Sequence, residues 1–91
     1  MLVSAASIWE VTIKRQVGKL RFDGSPAEEA RRAGFDLLAI TAAHAEIAGD
    51  LPLHHRDPFD RMLVAQAQAE GLTVVTRDRA FDSYEVRVLR C

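Results

Sequence analysis

Three acidic residues, Glu10, Asp60 and Asp78, carry the chemistry that this sequence suggests. Each stands where a β-rich run gives way to a helix or where a helix begins. Glu10 lies one turn into the helix that follows Leu2-Val3, Asp60 opens a helix after Pro58, and Asp78 follows a run ending at Val75. Ligand sites in an open parallel sheet form at the carboxyl ends of the strands. Three carboxylates converging there offer hard oxygen donors to Mg2+ or Mn2+. Such a cation bridges phosphate oxygens, generates a hydroxide nucleophile and stabilises the departing oxygen of a phosphodiester. Each acid also has an ordinary explanation. Ser7-x-x-Glu10 and Asp57-x-x-Asp60 have helix-start spacing, where free N–H groups and the macrodipole favour an acid. Asp78 could cap a short segment over residues 79–83. Singly, each signal is weak; all three at one kind of junction is a better signal.

Other constellations carry less. His54-His55 followed by Asp57 has the residue types of a metal site, but adjacent side chains rarely point at one ion, so a loop pair is the simpler reading. His44, on an alanine-rich helix, reads as a surface histidine. Ser4 and Ser7 lack the Gly-x-Ser-x-Gly context of a hydrolase nucleophile. The five glycines form neither a phosphate-binding loop nor a dinucleotide fingerprint. Trp9, at helical spacing, reads as core. Lys14, Arg15, Lys19 and Arg21 read either as a solvated helix end or as a rim contacting phosphate.

The elements that must position these residues are legible from their punctuation. Ala5, Ile8, Trp9, Thr12, Ile13, Gln16, Val17 and Leu20 form a helical apolar stripe, with Gly18 as its stop. A second helix has Ser25 as N-cap, Pro26 at its first position, Glu28 to close a capping box and Gly34 after its last turn. Phe35 to Ile40 reads as a short strand. Thr41 caps a third helix that runs towards Gly49 or Leu51, and Pro52 prevents its continuation. A fourth begins at Asp57-Pro58 and ends at Gly71. The runs 72–75 and 86–89 read as buried strands. Strands alternating with helices predict an α/β fold with a parallel sheet.

Composition sets the outer limits. Ninety-one residues make one small domain, residues 1–91, with a thin core. Twelve basic against thirteen acidic residues give a net charge of −1, which argues against a protein that binds polyanions over its whole surface. A single cysteine, Cys91, excludes an intrachain disulfide and a four-cysteine zinc site. No run approaches the roughly 20 apolar residues of a membrane span, so a cytoplasmic protein is expected.

Several clustered motifs then bear a family resemblance. They are Ser4-Ala5-Ala6-Ser7-Ile8-Trp9-Glu10-Val11, Ile13-Lys14, Gly18-Lys19-Leu20, the run from His54 to Arg61, Leu63-Val64-Ala65-Gln66-Ala67, and Val75-Thr76-Arg77-Asp78. In this order they closely resemble the PIN-domain toxins of the VapC type, over essentially the whole chain. The resemblance implies a three-layer α/β/α fold and a metal-dependent ribonuclease, the toxin of a bacterial toxin–antitoxin pair. Carried over by position, Glu10, Asp60 and Asp78 hold Mg2+ or Mn2+ and carry catalysis. Asp57 belongs to the same pattern, and its place before Pro58 favours a capping role. Arg61 and Arg77 are candidates for contact with substrate phosphate. RNA, a cognate antitoxin and a second copy in a homodimer are the implied partners. In the family, a strand ending in Asp and a helix precede the Trp-Glu motif. No counterpart stands before Met1, so the fold is expected to be incomplete at its N-terminus. A catalytically inactive PIN remnant serving as an interaction module is the second reading.

Overall fold

A computed structural model of the chain describes residues 2–52, 57–76 and 87–90. They fall into two compact units, Met1–Ile40 and Thr41–Cys91. The fold is α/β, and the described residues form four helices and strands paired in parallel.

The first unit runs β1 (Leu2–Ser4), α1 (Ala5–Gln16), α2 (Pro26–Arg32) and β2 (Asp36–Leu38). β1 and β2 pair in parallel, with Leu2 opposite Asp36 and Ser4 opposite Leu38. A parallel pair needs a crossover connection, and α1 and α2 provide it. β2 is shorter than the six-residue run that the sequence suggested. Ser4 ends β1 and caps α1, its hydroxyl accepting from the Ala6 N–H at 3.0 Å. α1 ends in a Schellman turn: the Gly18 N–H reaches Arg15 O and the Lys19 N–H reaches Lys14 O. α2 ends the same way, with bonds from Gly34 N–H to Arg31 O and from Phe35 N–H to Ala30 O. Gly18 and Gly34 have φ of +78° and +89°, a conformation costly to any residue with a Cβ. Arg15 folds the following loop back, donating to Phe22 O and Gly24 O.

Two expectations for this unit need correction. Trp9 is not core: it is 60% exposed. Ala6, Trp9, Ile13 and Val17 share one face of α1, but only the first turn is covered, where Ala6 is buried. The face then emerges as an exposed apolar stripe. The second correction concerns Glu28. Ser25 does accept from the Glu28 N–H, yet the Glu28 carboxylate turns to Arg31 at 2.6 Å and leaves the capping box half made.

The second unit runs α3 (Ala42–Asp50), α4 (Pro58–Glu70), β3 (Thr73–Thr76) and β4 (Arg87–Arg90). β3 and β4 pair in parallel, Thr73 opposite Arg87 and Thr76 opposite Arg90, each strand displaced one residue from its predicted position. α4 ends at Gly71 in the left-handed conformation, as its sequence required. α3 packs on α4. Four consecutive residues of α4, Val64 to Ala67, are buried. At about 100° per residue they face nearly every direction, so this turn is enclosed on several sides. Ala48 of α3 and Ala65 and Ala67 of α4 are buried.

The same interior holds a polar group. His44 is 1% exposed, which corrects its reading as a surface residue. Its Nδ1 accepts from the Thr41 N–H at 3.1 Å while the Thr41 hydroxyl accepts from the His44 N–H at 3.2 Å. That is a capping box with histidine in the place of the usual Glu or Gln. An accepting Nδ1 leaves the ring proton on Nε2, which donates to Glu70 Oε1 on α4 at 2.9 Å. Gln66 Nε2 lies 3.4 Å from the same Nδ1. Burial is tolerated because the ring nitrogens have partners. No helix among the described residues is long and apolar enough to cross a membrane.

Candidate active site

Glu10 lies in the second turn of α1. Since Ser4 is the N-cap, Ser7 occupies the third helical position and Glu10 the sixth. The capping-box explanation for Glu10 therefore fails, and the dipole's influence falls off within the first turn. Its carboxylate lies 3.3 Å from Lys14 Nζ, one helical turn on, and its side chain is 29% exposed. An exposed pair of this kind contributes about 0.3–0.5 kcal/mol, so Lys14 leaves the carboxylate open to a stronger ligand.

Asp60 sits at the third position of α4, in its first turn. It is half-buried. Asp57 is the N-cap, its Oδ1 accepting from Phe59 N–H at 2.9 Å and from Asp60 N–H at 3.4 Å. Pro58 follows at the first helical position, where its missing N–H costs nothing. The capping role expected of Asp57 is what these hydrogen bonds show. Asp57→Ala is accordingly expected to lower stability by about 1 kcal/mol in urea unfolding. The metal affinity of the folded protein should not change, and a large loss of affinity would instead make Asp57 a ligand.

Arg61 has a different occupation from the phosphate contact that the resemblance implied. Its Nη2 donates to Ala48 O at 2.8 Å and Leu51 O at 3.0 Å, with Gly49 O at 3.4 Å, and its Nη1 donates to Pro52 O at 3.1 Å. The guanidinium caps the end of α3. Two signals could have disclosed this: α3 has no glycine after its last turn, and Pro52 blocks an orderly continuation. Similarly, Thr41-x-x-His44 facing Gln66 and Glu70 marks a polar cluster among alanines.

Asp78, Arg77 and the His54-His55 pair lie outside the described residues. Among the described residues, no group of three or more His, Cys, Asp and Glu side chains is placed to hold a metal ion. The donor chemistry still fits a hard divalent cation. Glu10 in the second turn of α1 and Asp60 in the first turn of α4 are carboxylates, and neither is sealed from solvent.

Parallel strand pairs and a helical crossover, with one acid in the helix after β1 and another in the first turn of α4, define an α/β protein. The PIN domain family matches residues 1–86. The chain belongs to that family. PIN domains are generally metal-dependent nucleases, so membership points to nuclease activity in general terms. A search among curated proteins gives no match.

Proposed function

We propose that this chain is a VapC-type toxin, an endoribonuclease that hydrolyses RNA phosphodiesters with Mg2+ or Mn2+. One observation carries the reading: the PIN match over residues 1–86 takes in all three acid-bearing segments, those of Glu10, Asp60 and Asp78. In this reading the three carboxylates hold the cation. When bound, it supplies Lewis acidity towards the phosphate. Carboxylate oxygens of the same residues that are not bound to the cation would orient the attacking water and take its proton. Arg77, next to Asp78 in sequence, meets the substrate phosphate. The exposed apolar stripe of Trp9, Ile13 and Val17 supports binding to an antitoxin or a second copy, since contiguous exposed apolar surface marks sites of protein association.

The test is cleavage of single-stranded RNA by the purified chain in the presence of Mg2+ or Mn2+. Cleavage that stops on adding EDTA and resumes with excess Mn2+ is the expected result. A folded chain that leaves RNA intact in excess Mn2+ would defeat the nuclease reading.

A further inference from the structure

We propose that Arg61 is a positioning residue for Asp60, locking the first turn of α4 to the end of α3. The inference rests on the nuclease reading above for the role of the Asp60 carboxylate. Its basis is the way α3 ends. α1, α2 and α4 each close on a glycine with positive φ, Gly18, Gly34 and Gly71. The turns around those glycines satisfy terminal carbonyls with the chain's own N–H groups. α3 lacks that device. Its C-cap, Leu51, is extended at φ −61° and ψ 147°, the conformation imposed on a residue before proline. The last carbonyls of α3 then need donors from elsewhere.

Arg61 supplies them from another helix. Its planar fork covers Ala48 O, Gly49 O, Leu51 O and Pro52 O, and its positive charge suits a helix C-terminus. The backbone of Arg61 belongs to the first turn of α4, where its N–H bonds to Asp57 O at 3.0 Å. Asp60 is its immediate neighbour. One turn of backbone therefore carries both the clamp and the carboxylate, and slack in the clamp becomes displacement of the ligand. Loss of a comparable supporting contact around a metal site weakens binding by about 10–100-fold. Lysine, a point charge without the fork, cannot reproduce this span of carbonyls.

The experiment titrates Mn2+ into the full chain, followed by its EPR signal, for the wild type, Arg61→Lys, Arg61→Ala and Asp60→Asn. Circular dichroism establishes that each variant is folded at the temperature used, and metal-free amide exchange is read at residues 59–63. Expected are faster exchange at those amides and an Mn2+ dissociation constant raised about tenfold or more in Arg61→Ala, with Arg61→Lys between it and the wild type. Should the alanine variant fail to fold, the lysine variant decides. Unchanged Mn2+ affinity in folded Arg61 variants makes the clamp purely structural and overturns the proposal, while the nuclease reading survives. A wild type that shows no Asp60-dependent Mn2+ binding defeats the nuclease reading, and the positioning role falls with it.

Discussion

Asp60→Asn is expected to lower RNA cleavage by about 10³-fold or more at saturating Mg2+, equivalent to roughly 4 kcal/mol of transition-state stabilisation. The substitution keeps size and shape, and removes one formal charge and the harder of two oxygen donor types. Asp60 sits in the first turn of α4, so a helix-dipole contribution of about 0.3–1 kcal/mol is also at stake. The two roles therefore separate by magnitude. A capping or dipole acid, once replaced, gives a slightly less stable protein with normal turnover. A metal-holding acid gives a nearly normal fold with little turnover. Urea unfolding and single-stranded RNA cleavage on the same preparation decide between them. Wild-type rates in the variant would remove Asp60 from the catalytic group.

His44→Ala is expected to destabilise the fold by about 3 kcal/mol in urea unfolding, where a surface histidine would cost less than about 0.5 kcal/mol. The imidazole is buried and serves three neighbours: the Thr41 N–H, Gln66 Nε2 and Glu70 Oε1. Alanine would leave a cavity in the α3–α4 interior and strip an acceptor from a backbone N–H at the start of α3. Its effect should exceed a simple loss of volume, because Thr41 and His44 cap one another reciprocally. His44→Gln is expected to recover part of the loss, since glutamine is an ordinary capping-box partner at this helical position. A loss no larger for alanine than for glutamine would remove the hydrogen bonds from the account and leave packing alone.

Local punctuation made most of the elements legible. Ser25-Pro26, Asp57-Pro58, Gly18, Gly34 and Gly71 stop or start helices where they were expected to, because caps and positive-φ turns act within a few residues of themselves. Strand boundaries were displaced by one or two residues, since pairing with a neighbour decides where a strand ends. The family resemblance held as membership in the PIN domain family, over residues 1–86. Trp9 and His44 were misread for a common reason. Helical spacing shows which residues share a face, but not how much of that face another element covers. Trp9 lies past the covered turn of α1, while His44 is buried where Gln66 and Glu70 of α4 meet it.

By itself, the order of residues determined the helix starts and stops, the α/β alternation and the placement of Glu10 and Asp60 near the starts of helices. Those features depend on backbone conformation and on neighbours a few positions apart. Tertiary structure alone decided that Ser4, and not Ser7, caps α1, that His44 is interior, and that Arg61 serves the carbonyls of α3. The first turns on where pairing with β2 ends β1, and the other two on which groups meet across separate helices, where an unmade hydrogen bond in the interior costs enough to select the partner.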